Sequence, residues 1–209
     1  MHRFFINTSW FIKLLFHKYT WNFPRDEPTV YLTFDDGPHP VITPWVLAQL
    51  KAYNAQATFF CVGENVVQYP DVYHQILADG HAVGNHSQHH PNGWETATEP
   101  YLADVREAAQ HIQSNLFRPP YGRIKKAQAA GVKNILGADA KIIMWEVLSC
   151  DFDPSFSKAQ CLKNVLDHAR AGSIIVFHDS EKAAPNMQYA LPVVLQQLSE
   201  KGYAFKAIQ

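Results

Sequence analysis

Residues 30–38 read VYLTFDDGP, an apolar run that stops on two adjacent carboxylates and a Gly-Pro pair. Adjacent carboxylates repel each other, so in a chain with only 18% charged residues something must favour their charge. Taken alone, the stretch reads first as a solvated Asp-Gly turn, because Asp and Gly form turns readily and Pro38 stops any continuing ladder. The same grammar recurs, however. SIIVF (173–177) stops on His178 and Asp179, HAVGN (81–85) stops on His86, LFR (116–118) ends on Arg118, and KIIMWEV (141–147) runs toward Asp151. In a parallel β/α architecture the functional groups collect at the carboxyl ends of the strands, so repeated apolar runs ending on polar residues point to that class.

The remaining strand candidates are ATFFCV (57–62) and YAFKAI (203–208), which brings the total to about seven. Helix signals fall between them. Thr43 and Pro44 read as N-cap and first helical residue of TPWVLAQLKAY, Pro70 opens PDVYHQILAD and Gly80 closes it, Thr98 caps a helix reaching Leu116, and Ser157 opens one that Gly172 ends. Residues 124–140 carry no decisive signal. Alternation of this kind implies a parallel sheet, and IIMW and SIIVF suit strands buried on both faces. A complete eight-fold barrel typically needs ~250 residues, against 209 here. The expected fold is therefore a distorted, incomplete (β/α)7-type barrel with its site at the carboxyl ends of the strands. An open doubly wound sheet is the second choice.

With 47% hydrophobic residues the chain can bury a sizeable core as one domain over 29–209. Its net charge of −1 gives no footprint for nucleic acid, and neither nucleic acid nor a nucleotide cofactor is expected. Cys61, Cys150 and Cys161 lack CxxC spacing and read as small buried apolar groups. Residues 1–28 form an aromatic-rich extension. Asn7, Lys13, His17 and Lys18 make it too polar to span a membrane, and it has no legible signal-peptide cleavage site. A short amphipathic helix at 10–16, packed on the domain, is favoured over membrane association through residues 1–24. The compartment stays open between cytoplasmic and envelope-associated.

GNHSQHHP places His86 and His90 four apart, a spacing that stacks both rings on one face if the segment makes a helical turn. Asp35 or Asp36 would supply a third ligand, leaving open positions for water and substrate as in catalytic zinc sites. The neighbouring Asp could then stay ionised beside the cation and act as a base. Arg118, held extended by Pro119 and Pro120, could grip that base in bidentate fashion. His178 is placed to donate a proton, and Asp151 to favour its protonated form.

Assembled in this order, the residues resemble the NodB-homology polysaccharide deacetylases, carbohydrate esterase family 4. TFDDGP (33–38), HSQHH (86–90) and RPPYG (118–122) match three of the family's motifs. The resemblance implies that Asp35 is the base, that Asp36, His86 and His90 hold one divalent ion, usually zinc, and that Arg118 orients Asp35. It further implies that the Tyr121 backbone N–H helps hold the oxyanion and that His178, tuned by Asp151, is the acid. The substrate would be an N-acetylated glycan, for example a cell-wall polymer. The chain departs from the family where D-x-x-D-W becomes LSCDF, with Leu148 for the first Asp and Phe152 for Trp, and where Val176 stands for Leu two before His178. Phe152 and Val176 could still wall a pocket for the acetyl methyl. Trp94, Tyr121 and Phe152 each follow a proposed site segment and are expected to line a groove for sugar rings. Two rival readings are a two-His-one-carboxylate iron oxygenase, which would not need Arg118, Asp151 and His178, and a non-catalytic glycan-binding module.

Overall fold

The computed structural model describes residues 6–209; residues 1–5 of the N-terminal extension lie outside the described residues. Its frame is a parallel sheet built from β1 (Thr29–Asp35), β2 (Ala57–Cys61), β3 (Ala82–Asn85), β4 (Leu116–Phe117), β5 (Lys141–Ile142), β6 (Val147–Leu148) and β7 (Ile174–His178). The strands follow the order β5-β4-β3-β2-β1-β7-β6, and β8 (Ala204–Phe205) pairs with the start of β1. The sheet curls into a half-barrel that stays open between β5 and β6, as the incomplete (β/α)7 reading expects. Around it lie α1 (Trp10–Leu15), α2 (Ile42–Ala52), α3 (Gly63–Gln68), α4 (Pro70–Ala78), α5 (Thr98–Ala108), α6 (Lys126–Leu136), α7 (Lys158–Leu166) and α8 (Ala184–Glu200).

Strand periodicity divides the core. Val30, Leu32 and Phe34 of β1 pack outward with Val46 and Leu50 of α2 and with Leu191 and Val194 of α8. Tyr31, Thr33 and Asp35 take the opposite face. Inside the sheet, Phe60, Leu116, Ile143, Ile174 and Ile208 pack together as an apolar plug, with the Arg118 guanidinium over the Phe60 ring. Both faces of β7 are buried, with Ile175 and Phe177 on the outer layer and Ile174 inward.

Several element boundaries differ from the sequence reading. KIIMWEV is not one strand: it breaks between Ile142 and Val147, where the carbonyls of Ile143 and Met144 accept hydrogen bonds from Arg118. α2 starts at Ile42 with Val41 as its cap. Thr43 lies within the helix because its hydroxyl donates to Asp179 and accepts from the His39 N–H. α5 has Ala97 as its cap and stops at Ala108, after which buried Ile112 and the Ser114 hydroxyl, bonded to the Val83 carbonyl, lead the chain into β4. α7 ends before Gly172, which sits at φ +78° in the turn into β7. Ser157 does cap α7, in a reciprocal box with Gln160.

The extension crosses the open seam. Thr8 N–H donates to the Glu146 carbonyl, Leu148 N–H to Ile6, Thr20 N–H to Ile142 and Met144 N–H to Thr20, so the unpaired edges of β5 and β6 find partners. Glu146 anchors it from beneath. Its fully buried carboxylate contacts Lys13 and Arg25 of the extension and Arg170 and Ser173 of the domain. Burial opposes its ionisation, but Arg170, Lys13 and Ser173 outweigh that and bring its pKa down to about 2. A carboxylate depressed in the folded state stabilises above its unfolded pKa, near 4.3, and that contribution is lost as pH falls toward 2. Glu146→Gln should therefore lower Tm at neutral pH by several degrees, for a loss on the order of 2–3 kcal/mol. Amide exchange at Thr8 and Thr20 should rise in the same variant, and unchanged protection there would separate Glu146 from the anchoring.

Candidate active site

β1 and β7 run side by side with Asp35 opposite His178 in register, which sets a carboxylate and an imidazole on neighbouring strand ends. After Asp35 the chain turns sharply, with Asp36 at φ +78°. Gly37 makes the turn feasible, because a Cβ there would fall 2.1 Å from Oδ2 of Asp179. Asp179 accepts from the Gly37 N–H and from Thr43, and burial pushes its carboxyl up to about 7. This buttress under the DDG turn carries no role in the sequence reading. Its adjacency to His178 at a strand end was the only available signal.

Asp35 is 4% exposed. Its Oδ1 lies 2.6 Å from Nη1 of Arg118, itself fully buried. The grip is monodentate rather than bidentate, because the other guanidinium donors go to Thr33 Oγ1 and to the carbonyls of Ile143 and Met144. The Phe60 ring lies 4.1 Å beneath the guanidinium carbon. Burial lowers the Arg118 pKa from its ordinary value, while Asp35 opposes the shift. Thr33 shares the inward face with Asp35 by strand alternation, so its part is legible in the sequence as that of an i, i+2 neighbour.

Asp36, His86 and His90 converge, with one ligand atom from each lying within 4.8 Å of the others. The segment 86–90 is an irregular loop and not a helical turn; positive φ at Ser87 (67°) and His90 (57°) folds the second imidazole back beside the first, with ring centroids 4.9 Å apart. Nδ1 of His86 lies 2.7 Å from the Arg118 carbonyl, which fixes it as the N–H donor and leaves the Nε2 lone pair for the site. Burial, aided by His90, brings the His86 pKa to about 4 against the pull of Asp35 and Asp36, so the ring is neutral at neutral pH. Asp36 Oδ1 is buried without a hydrogen-bond donor, 3.2 Å from Nε2 of His90 and 3.7 Å from Nε2 of His86. Burial opposes its ionisation, yet the imidazoles of His90, His178 and His86 hold the carboxyl below the usual range. An orphaned, ionised carboxylate facing two imidazoles, one neutral with its tautomer fixed, fits a divalent cation of the zinc type.

On the other side, Nδ1 of His178 lies 2.8 Å from Oδ1 of buried Asp151, whose Oδ2 accepts the His178 backbone N–H. Burial alone would lower the His178 pKa, but Asp151, followed by Asp36 and Asp35, outweighs it and raises it to about 9. Phe152 meets the His178 ring edge-on at 4.8 Å. The cavity enclosed by these groups is about 380 Å³. Leu148, Phe152 and Val176 form its apolar side and Tyr121 its rim, with Lys182 near Phe152. Tyr121 sits at φ +59° beside His90. Trp94 does not border this cavity; it lies 61% exposed beyond Tyr121, with the Arg123 guanidinium over its ring. Burial pushes the Cys150 thiol up to about 12, which suits a structural group rather than a nucleophile.

The family described as polysaccharide deacetylase matches residues 23–137. A peptidoglycan-N-acetylglucosamine deacetylase of Bacillus cereus is 31% identical over 198 residues, covering 90% of this chain and 90% of the relative. A chitooligosaccharide deacetylase of Azorhizobium caulinodans is 37% identical over 166 residues, covering 74% of this chain and 75% of the relative. Among solved structures, a peptidoglycan N-acetylglucosamine deacetylase in complex with 4-naphthalen-1-yl-N-oxidanyl-benzamide superposes with a TM-score of 0.82 at 29% identity, over 95% of this chain and 94% of the other.

Proposed function

The chain belongs to the polysaccharide deacetylase family, and from that premise we propose that it is a metal-dependent hydrolase that removes acetyl groups from N-acetylhexosamine units of a glycan, releasing acetate and a free amine. The observation that carries this is the meeting, in one cavity, of the Arg118-held Asp35, the Asp151-held His178 and the Asp36-His86-His90 cluster.

Arg118 occupies Oδ1 of Asp35, so Asp35 takes the proton of the attacking water at Oδ2. His178 receives a hydrogen-bond acceptor for Nδ1–H from Asp151 and therefore offers Nε2–H to the departing nitrogen. The Tyr121 backbone N–H, presented by the tight 120–122 turn, donates to the carbonyl oxygen as its charge grows. Leu148, Phe152 and Val176 receive the acetyl methyl and keep competing water away. A zinc ion held by Asp36, His86 and His90 would supply Lewis-acid polarisation and a lowered water pKa.

The direct test is acetate release from N-acetylglucosamine tetramers and from peptidoglycan by zinc-loaded protein, with equal release of free amine expected. Absence of release from every N-acetylated glycan would overturn the proposal. A pH profile tests the acid. With the His178 pKa raised to about 9, the proton is present through neutral pH and lost above that value, so the alkaline limb of kcat/KM should lie near 9. Asp151→Asn removes the strongest raising influence, and this limb should move down by roughly a unit or more. An unmoved limb would assign it to another group.

A further inference from the structure

The loop that carries His86 and His90 is held in a shape its own residues do not favour. Ser87 and His90 both have positive φ, and neither is glycine. A left-handed backbone at such residues is costly and persists only where the surroundings over-determine it. Because 86–90 is not a helical turn, its N–H groups also lack the i−4 carbonyls that a helix would supply. The His86 ring has its own anchor, the Arg118 carbonyl at Nδ1. Among the described residues no carbonyl or carboxylate does the same for Nδ1 of His90, so that ring is directed by the loop backbone and by the Tyr121 ring against it.

α5 supplies what the loop lacks. Oδ2 of Asp104 accepts two successive loop N–H groups, that of Gln88 at 2.7 Å and that of His89 at 3.0 Å. The other oxygen, Oδ1, lies 2.7 Å from Nδ1 of His89, a ring outside the Asp36-His86-His90 cluster. The Ser87 N–H donates to Oδ1 of Asn85, whose amide donates in turn to the Val105 carbonyl, next to Asp104 on the helix. From the opposite side α3 holds the loop carbonyls: the N–H groups of Gly63 and Glu64, which open that helix and have no partner within it, donate to Ser87 and Gln88. α5 is a firm platform for this grip, because Tyr101, Leu102, Val105 and Ala108 bury its inner face. Asp104 belongs to none of the motifs that point to the site.

We infer that Asp104 is a positioning residue for the metal centre: by accepting the Gln88 and His89 N–H groups it fixes the backbone between the two ligand imidazoles, so that His86 and His90 already converge before an ion arrives. Ligands ordered in advance bind more tightly, since less freedom is lost on binding. This rests on the metal-dependent reading above and adds the residue that preorganises its ligands.

The test measures the zinc Kd of metal-free, full-length protein by competition with a chromophoric chelator, together with thermal melting of the same metal-free samples. Asp104→Ala leaves both N–H groups without their acceptor, and Kd should rise roughly 10- to 100-fold, the usual effect of losing an outer-shell partner. Asp104→Ser repeats the measurement if the Ala variant does not fold. Asp104→Asn keeps an amide oxygen for the two N–H groups, so its Kd should stay close to that of the unaltered protein. His89→Ala removes only the ring contact at Oδ1 and should behave likewise. An unchanged Kd in Asp104→Ala, even with a lowered Tm, would overturn the inference, because Asp104 would then support the fold and not the metal ligands. Equal losses in the Asn and Ala variants would overturn it too, since the negative charge acting on the ion from a distance would then be the cause. Zinc binding that is indifferent to Asp104 would sink this inference alone, whereas no zinc binding by the unaltered protein would sink the metal-dependent reading and this inference with it.

Discussion

Replacing His86 and His90 together by Ala should take the purified protein from about one divalent ion per chain to none, and acetate release should fall to background with it. Two of the three ligand atoms in the cluster are imidazole nitrogens, and Asp36 alone offers a single carboxylate that a hydrated ion would hold only weakly. His86 also fills a fully packed position, bonded to the Arg118 carbonyl, so the double variant should lose a little stability as well. Metal analysis of folded protein separates the two effects. Full metal content in the double variant would remove Asp36, His86 and His90 as the site.

For Asp35→Asn the ion should stay while turnover drops by ~10² to 10⁴, the usual consequence of losing a general base. Asn keeps an oxygen for Arg118 Nη1 but leaves the fully buried guanidinium without its carboxylate. Removing one member of a buried pair can cost about 3–5 kcal/mol, and the bonds to Thr33, Ile143 and Met144 soften that here. Tm should therefore fall alongside turnover, with metal content unchanged. Near-normal turnover would reassign the base to another residue.

The motif residues were legible because each sits at a strand end or in a short loop anchored by one. VYLTFDDGP and SIIVFHDS showed both the strand and the groups that follow it, and the register of β1 with β7 then pairs Asp35 with His178. HSQHH announced two imidazoles but not the route that brings them together. A spacing of four suggests a helical turn, whereas positive φ at Ser87 and His90 achieves the convergence in a loop. Backbone conformations of that kind leave no reliable mark on residue type when the residue is not glycine. α8 was equally hidden, since Pro185 and Pro192 disguise a helix whose inner face, Met187, Leu191, Val194 and Leu198, follows helical spacing.

The sequence by itself determined the β/α class, the incomplete barrel and the identity of the groups at its mouth, because strand hydrophobicity and chemically distinctive side chains are local properties that a single chain displays. Only the tertiary structure decided how those groups are partnered. It broke KIIMWEV to turn two carbonyls toward Arg118, limited the Asp35 contact to one oxygen, put Asp179 beneath Gly37, and laid the extension over the barrel seam with Glu146 as its anchor. Each depends on residues far apart in the chain meeting in a dry interior, where an unpaired donor, acceptor or charge is expensive and partners are chosen by what lies within reach rather than by what lies nearby in sequence.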